Sequence, residues 1–164
     1  MNKIPAIAFA AWSGTGKTTL VEKLIYELKG RGLRIAAVKH DAHRFEIDKE
    51  GKDSWRFTQA GADMTIVSSP EKTAIIEPRP RTLRENLSMI HDVDLILIEG
   101  WKNEDIPQIG ICREATGLGL PAEPGRYIAI AADYEIENCP VPCFGLEDIS
   151  ALADFILENA KVLD

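Results

Sequence analysis

Apolar residues occur along the chain in short continuous runs that alternate with segments of helical spacing. The continuous runs predict buried strands, and they lie at 4–11, 33–38, 93–100, 106–112 and 127–132. Helical spacing begins after the first run, and helices are predicted at 20–29, 53–60, 83–90 and 148–160. Because strands and helices alternate, the pattern predicts an α/β fold with a mostly parallel central sheet and flanking helices.

A second pattern interrupts this alternation in the middle of the chain. Met64 to Ser68 and Thr73 to Glu77 are short runs on either side of the turn Ser69-Pro70-Glu71. Two such runs separated by a short turn predict an antiparallel hairpin. Pro78 and Pro80 follow the second run, as is typical of an edge hairpin.

Composition excludes several classes of function. At 164 residues the chain has the length of a single domain, expected over residues 1–164. Its net charge of −7 argues against non-specific nucleic-acid binding, which needs a basic surface. No apolar stretch reaches the length of a membrane span and the N-terminus has no signal-peptide pattern, so we expect a cytoplasmic protein. The three cysteines lack C-x-x-C spacing, which favours buried or half-buried free thiols.

Candidate chemistry is concentrated in the loop between the first strand and the first helix. Its centre, Gly14-Thr15-Gly16-Lys17-Thr18, is the glycine-rich sequence of a nucleotide-binding P-loop. Glycines let backbone N–H groups converge on phosphate oxygens, and the helix N-terminus adds partial positive charge. In such loops the lysine reaches the β- and γ-phosphates, and the hydroxyl after it holds Mg²⁺. The candidate nucleotide contacts are Trp12, Ser13, Gly14, Thr15, Gly16, Lys17, Thr18 and Thr19.

The loop departs from the usual pattern at its first position. The pattern G-x-x-x-x-G-K-[ST] begins with glycine, and this chain has Ala11 there. Alanine is excluded only if that residue needs a positive φ. The alternative is a glycine-rich turn that binds nothing, but the strand before the loop and the helix after it favour phosphate binding.

A P-loop needs an acidic partner near its metal-binding hydroxyl. The apolar run 93–100 contains two acids, Asp94 at its start and Glu99 at its end. The carboxyl ends of parallel strands share one edge of the sheet, and Asp94 lies about a strand length away from that edge. We therefore predict that Glu99 faces the metal held by Thr18, and that Lys17 and Glu99 are the catalytic residues.

Other polar residues are expected at the same edge of the sheet. Lys39 and His40 follow the second strand, and Asp133 follows the last predicted strand. A guanine site needs an acceptor for N1–H and N2–H₂, and Asp133 is placed for this role although it lacks an Asn-Lys-x-Asp context. His40 and His43 are minor candidates for phosphate or metal contact, and Lys102 is either a phosphate contact or a solvated lysine.

Five segments carry a family resemblance in the same order, and they are AAWSGTGKTTL, Lys39-His40, Gly51-Lys52-Asp53-Ser54, Ala60-Gly61-Ala62 and LILIEGWK. Together they resemble the molybdopterin-guanine dinucleotide biosynthesis protein B family (MobB) over nearly the whole chain. The resemblance implies a P-loop NTPase fold and a GTP-binding accessory protein of molybdenum-cofactor synthesis. It also implies a homodimer that acts with the guanylyltransferase, the enzyme that joins GMP to molybdopterin.

A wider class of P-loop synthetases is similar to this family in its metal ligands. That class holds Mg²⁺ by the loop threonine, the glutamate of a Glu-Gly pair and an aspartate that begins a helix. The resemblance therefore assigns Thr18, Glu99 and Asp53 as metal ligands and Lys52 as a neighbouring nucleotide contact. Asp53 as an ordinary helix N-cap is the alternative. Some relatives carry a lysine where this chain has Trp12, so a lysine that crosses between subunits is not expected.

Two functions are consistent with these residues. One is a GTP-binding accessory protein that hydrolyses GTP slowly, since Trp12 and Ser13 cannot activate water well and fast transfer usually needs an arginine finger or a water-orienting residue. The other is a self-sufficient P-loop kinase or ligase that acts on a small acidic metabolite. Its lid would contain Arg79, Arg81 and Arg84, which are otherwise a solvated helix start.

The expected assembly is a homodimer. Unpaired edge strands are liabilities that proteins cover. We therefore expect either the hairpin at 64–77 or the neighbouring strand at 106–112 to lie in a homodimer interface. The sequence leaves open whether molybdopterin itself binds the chain.

Overall fold

The computed structural model describes residues 4–41, 45–101 and 104–163, which belong to two compact units. The larger unit contains the chain up to His40 and again from Leu83, and the smaller unit contains Asp41 to Thr82. The expectation of one domain over the whole length stays a prediction. Within the part of the chain that the structure describes, no helix is long and apolar enough to cross a membrane.

The described residues contain nine strands and four α-helices, numbered here in chain order. The strands are β1 Pro5–Ala10, β2 Ile35–Lys39, β3 Thr65–Ser68, β4 Thr73–Ile76, β5 Leu95–Glu99, β6 Gln108–Cys112, β7 Ala129–Ala132, β8 Cys143–Gly145 and β9 Lys161–Val162. The helices are α1 Lys17–Gly30, α2 Asp53–Gln59, α3 Leu83–Ser88 and α4 Ile149–Asn159. The predicted strands and helices are all present, with ends shifted by a few residues.

The sheet of the larger unit has the order β2-β5-β1-β6-β7-β8, and these neighbours are all parallel. The two-residue strand β9 pairs antiparallel with the start of β1. The predicted α/β fold with a mostly parallel sheet is therefore confirmed. Because the paired strands run in the same direction, the residues that follow β1, β2, β5, β6 and β7 share one edge of the sheet.

The core forms on both faces of this sheet because side chains alternate along each strand. On β1, Ile7 and Phe9 face the side covered by α1 and α4, whose Leu24, Leu28, Leu152 and Ile156 are fully buried. On the other face α3 packs Leu83 and Leu87 against β5. Each fully buried aliphatic side chain contributes about 1.5–3 kcal/mol relative to exposure, which stabilises the packing of the helices on β1.

The smaller unit contains α2 and an antiparallel hairpin formed by β3 and β4. The register pairs Thr65 with Ile76 and Ser68 with Thr73, so the predicted hairpin is confirmed. The side chains of Ile66, Val67 and Ile75 are exposed by 59%, 45% and 54%. Within the described residues, the two strands pair only with each other, so this hairpin presents both apolar surface and unpaired strand edges.

Two expectations from the sequence need correction. The strand at 106–112 is not an edge, since β6 pairs with β1 and β7 and all five of its residues are buried. Because β6 is buried on both faces and paired on both edges, it has no exposed strand edge that a second subunit could contact. The thiols are free as predicted, but Cys143 is exposed because β8, which contains it, closes the edge of the sheet.

Candidate functional site

The loop between β1 and α1 has the geometry of an anion-binding turn. Gly14 and Gly16 have φ values of +79° and +90°, a left-handed conformation that side chains disfavour. Gly16 is the N-cap of α1 and no side chain caps this helix, so the N–H groups of its first turn are left for a ligand. Ala11 is buried and is not among the residues with positive φ, which explains why alanine is accepted there.

Glu99 is the acid that meets this loop. The Thr18 hydroxyl donates to its carboxylate, with Oγ1 at 3.3 Å from Oε1 and 3.2 Å from Oε2. The Lys17 ammonium Nζ lies 3.7 Å from Glu99 Oε1, and the Lys39 Nζ lies 3.9 Å from the same oxygen. Glu99 and Lys17 side chains are only 13% and 17% exposed. The structure therefore brings together the predicted residues Lys17, Thr18, Lys39 and Glu99.

Strand register is what places Glu99. It stands opposite Phe9 of β1 and opposite Lys39 of β2, at the last paired position of β5. Beyond it the chain turns away through Gly100 and Trp101, which have φ values of +102° and +51°. A non-glycine residue at such angles is strained and is often held at functional sites.

His40 lies on the outer side of this turn. Its backbone N–H donates to the Glu99 carbonyl at 2.8 Å, and its ring stacks on Trp101 with centroids 4.6 Å apart. A Cβ on Gly100 would come within 2.8 Å of the His40 Cβ, so only glycine fits there. The predicted role of His40 as a minor phosphate or metal contact is untested, and His43 and Lys102 lie outside the described residues.

Asp94 is used differently. The Arg34 backbone N–H donates to its Oδ2 at 2.7 Å, and the Arg34 guanidinium lies 3.5 Å from its Oδ1. These contacts, the backbone hydrogen bond above all, lower the pKa of the Asp94 carboxyl. Asp94 therefore fastens the amino end of β5 to the start of β2 and lies at the edge of the sheet away from the loop.

The residues around Glu99 fit a magnesium ion bound together with a nucleotide. A carboxylate and a hydroxyl are hard oxygen donors of the type that Mg²⁺ selects. Among the described residues, no group of three or more His, Cys, Asp or Glu side chains is arranged to hold a metal. Mg²⁺ commonly binds one or two carboxylates and completes its shell with phosphate oxygens and water. This donor set suits a metal that arrives with phosphate, and does not suit a structural metal.

Asp53 belongs to the smaller unit and begins α2. Its side chain is 85% exposed, with Oδ1 at 3.8 Å from the Arg56 guanidinium. The N-cap of α2 is Lys52, so the alternative that Asp53 is the helix N-cap is wrong. The assignments of Asp53 to the metal and of Lys52 to the nucleotide stay predictions.

A cleft of about 950 Å³ opens at the carboxyl ends of β6, β7 and β8. Asp133 lies on its wall, where its Oδ1 accepts a hydrogen bond from the Glu114 backbone N–H at 2.8 Å. Tyr134 lines the same cleft, and its hydrogen bond with the Cys112 thiol raises the pKa of its hydroxyl to about 12. Although the Cys143 residue is exposed, partial desolvation of its thiol, together with a hydrogen bond with Cys139, raises the pKa of that thiol to about 11.

Arg113 is a candidate that the sequence reading missed. It follows β6 directly, and its guanidinium Nη2 lies 3.3 Å from the position that a Cβ on Gly16 would occupy. It also lines the cleft that contains Asp133. The signal was available, because Arg113 follows an apolar run in the same way as Lys39 and Asp133 do.

The arginines considered for a kinase lid are engaged elsewhere. Arg79 and Arg81 both form ion pairs with Glu77, the former with Nε at 3.1 Å from Oε1. Hydrogen bonding from Arg81 lowers the pKa of the Glu77 carboxyl. These pairs lie within the smaller unit and give no support to a lid.

Comparison with known proteins decides the family. The model of the family "MobB: Molybdopterin guanine dinucleotide synthesis protein B" matches residues 6–133. The chain belongs to the MobB family. Its relatives include the molybdopterin-guanine dinucleotide biosynthesis adapter proteins of Escherichia coli, 41% identical over 94% of this chain and 93% of the relative, and of Haemophilus influenzae, 38% identical over 94% and 89%.

Solved structures agree with this MobB assignment. The crystal structure of Bacillus subtilis MobB superimposes with a TM-score of 0.75 at 26% identity, over 96% of this chain and 99% of that one. A second crystal structure, of molybdopterin-guanine biosynthesis protein B (mobB), gives a TM-score of 0.65 at 26% identity, over 94% and 98%. Family membership places the chain among the proteins of molybdopterin guanine dinucleotide biosynthesis.

Proposed function

We propose that the protein is a GTP-binding adapter of molybdopterin guanine dinucleotide formation, with GTP and Mg²⁺ bound at the loop after β1. The observation that carries the proposal is the position of Glu99, whose carboxylate lies within 4 Å of Lys17 Nζ and Thr18 Oγ1 beside an uncapped helix N-terminus. The relatives named as adapter proteins support the pathway.

Different residues of this site would bind different parts of a nucleoside triphosphate. Backbone N–H groups of the loop and the first turn of α1 donate to phosphate oxygens. Lys17 exchanges its contact with Glu99 for the β- and γ-phosphates, and Lys39 keeps the charge of Glu99 compensated at 3.9 Å. Thr18 and Glu99 would hold Mg²⁺, which would neutralise charge on the phosphates.

We expect GTP hydrolysis at this site to be slow. A hydrolytic P-loop needs a group that orients the attacking water, and Trp12 and Ser13, at the outer part of the loop, are poor at this. The carboxylate of Glu99 already serves the threonine and lysine. We expect GTP hydrolysis well below about one turnover per second. The protein then holds or presents the nucleotide while the guanylyltransferase does the chemistry.

Guanine specificity is assigned to Asp133. Its Oδ1 is fixed by the Glu114 N–H, which leaves the other oxygen of the carboxylate as acceptor in the cleft. Guanine presents N1–H and N2–H₂ donors, whereas adenine presents no donor at N1. Asp133→Asn keeps an oxygen for Glu114 but turns a donor toward the base, so the preference for GTP over ATP should fall by about tenfold or more.

Titration calorimetry with GTP and ATP, each with and without Mg²⁺, tests the proposal. We expect Mg²⁺-dependent binding that favours GTP and a low steady-state hydrolysis rate. Binding of neither nucleotide would overturn the proposal. A rate in the range of ordinary kinases, about 1–100 per second, would favour the self-sufficient kinase or ligase. The turnover assay is repeated with the guanylyltransferase and molybdopterin, because a kinase without its acceptor is also slow.

We also propose that the protein is a homodimer that uses the β3–β4 hairpin. Ile66, Val67 and Ile75 expose apolar surface next to unpaired strand edges, and such edges are normally covered. Multi-angle light scattering at micromolar concentration should give twice the mass of one chain. Ile66→Glu should give a monomer, whereas Tyr26→Glu, on the exposed side of α1, should not. A wild-type monomer at that concentration would contradict the assembly.

A further inference from the structure

Arg113 is a cation beside the loop, on the side away from Glu99. Strand β1 lies between β5 and β6, so Glu99 and Arg113 approach the loop after β1 from opposite flanks. On the Arg113 flank, the guanidinium Nη2, Cζ and Nε lie 3.3, 3.7 and 3.7 Å from the Cβ position of Gly16. A Cβ at Gly16 would therefore be in tight contact with the guanidinium of Arg113, which lies beside the loop.

The charge of Arg113 has no anionic partner in the described part of the chain. Its Nε is buried and has no hydrogen-bond partner there. Asp133 shares a cleft with Arg113, but one of its oxygens is taken by the Glu114 N–H. Burying a donor of a cation without an acceptor costs free energy. Lys17, on the other flank of Gly16, does have its carboxylate, at 3.7 Å.

An anion that comes to the loop would supply this missing partner. The guanidinium lies against a segment whose N–H groups already attract phosphate, and a guanidinium binds phosphate through two parallel hydrogen bonds. Thr18 and Glu99 mark the end of the site where Mg²⁺ would be held, beside the β- and γ-phosphates that Lys17 would contact. Arg113 lies on the other flank, toward the cleft assigned to the base, so the phosphates nearest to it are α and β.

We propose that Arg113 binds the α- and β-phosphates of the nucleotide from the β6 side of the loop. The inference rests on the proposed function, because it assigns one more contact to the same nucleotide. It also adds a reason for glycine at position 16 beyond its backbone angle, since a Cβ there would crowd the Arg113 guanidinium.

The alternative is that Arg113 only braces the loop. A brace works through the aliphatic stem, whereas a phosphate contact works through the guanidinium. Arg113→Met keeps most of the stem and removes every donor, and Arg113→Lys keeps the charge without the paired geometry. Arg126→Met is the matched control, because Arg126 is exposed and precedes β7, at the opposite edge of the sheet.

Affinities for GTP and GDP, measured by calorimetry with Mg²⁺, test the proposal. Arg113→Met should lose about 10- to 100-fold for both nucleotides, with Arg113→Lys intermediate and Arg126→Met unchanged. Millimolar guanidinium chloride should restore part of the affinity of Arg113→Ala and leave wild type unchanged. A merely structural brace would not respond to added guanidinium.

Three results separate the possible failures. If wild type binds neither nucleotide, the proposed function has failed. If wild type binds and Arg113→Met binds equally well, Arg113 does not touch phosphate and this inference is overturned. If Arg113→Met loses affinity for GTP but not for GDP, Arg113 contacts the γ-phosphate, which contradicts its assignment to the α- and β-phosphates.

Discussion

Strand β5 has an acidic residue near each end, and the two carboxylates have different kinds of partners. At the amino end, Asp94 accepts the backbone N–H of Arg34 at 2.7 Å and pairs with its guanidinium. At the carboxyl end, Glu99 accepts from Thr18 and lies near two lysines. Asp94 is thereby satisfied within the fold, whereas Glu99 is surrounded by groups that also bind phosphate or a metal.

The difference follows from the edge of the sheet on which each acid lies. Parallel strands turn their carboxyl ends, with the helix N-termini that follow, to one edge, where positive partial charge collects. An acid at the carboxyl edge of the sheet is placed to take part in a ligand site. An acid at the amino edge is free to form hydrogen bonds and ion pairs that connect two strands. Glu99 is also nearly buried, at 13% exposure, while Asp94 is exposed by 40%.

The largest expected effect comes from the cations that pair with these acids. Lys17→Ala should weaken GTP binding by about 100-fold, because charge-assisted contacts to two phosphates are lost. The matched variant Arg34→Ala, at the Asp94 end, should leave affinity within about twofold. Calorimetry measures both affinities. Tight GTP binding by Lys17→Ala would show that the loop is not the phosphate site.

A smaller effect is expected at Asp53, the second acid assigned to the metal besides Glu99. Asp53→Asn should raise the Mg²⁺ concentration needed for half-maximal GTP binding by about several-fold. This is the effect expected when one hydrogen bond or ligand contact is weakened. Asp63→Asn is the control, because Asp63 is also exposed in the smaller unit. Equal Mg²⁺ titration curves for the two variants would remove Asp53 from the metal site.

The smallest effect concerns Asp94 and pH. Its pKa is lowered in the folded protein, so its carboxylate stabilises the fold above the unfolded pKa of about 3.9 and loses that contribution as pH falls through the folded value. Between about pH 5 and pH 3 the Tm of wild type should therefore fall more than that of Asp94→Asn, by a degree or two because the pair is exposed. Parallel Tm curves would contradict the pairing with Arg34.

The proximity of Glu99 to Lys17 and Thr18 could be predicted from the sequence because its signals are local. Apolar runs mark strands, glycines and Lys17 mark the loop, and the acid at the end of a run marks the sheet edge. Arg113 has a local signal too, its place directly after an apolar run, but its proximity to Gly16 depends on β6 lying next to β1, which is a tertiary fact. The mistaken edge at 106–112 has the same origin.

Short elements were also beyond prediction. Strand β8 has three residues and β9 has two, too few for any hydrophobic period, and both exist because an existing sheet edge offers hydrogen bonds. At α2 the predicted start at Asp53 agrees with the structure, and only the alternative that Asp53 is the N-cap does not, since that position is Lys52.

The central claim is that the carboxyl edge of β5 is the magnesium–nucleotide site, and the two acids of that strand test it in one experiment. GTP is titrated into Glu99→Gln and Asp94→Asn, each with excess Mg²⁺ and with EDTA. In wild type, Mg²⁺ should increase the affinity for GTP, and in Glu99→Gln this increase should be at least about tenfold smaller. Without metal, Glu99→Gln should bind GTP nearly as well as wild type. Asp94→Asn should match wild type in both conditions. A full magnesium response in Glu99→Gln, or its loss in Asp94→Asn, would contradict the account.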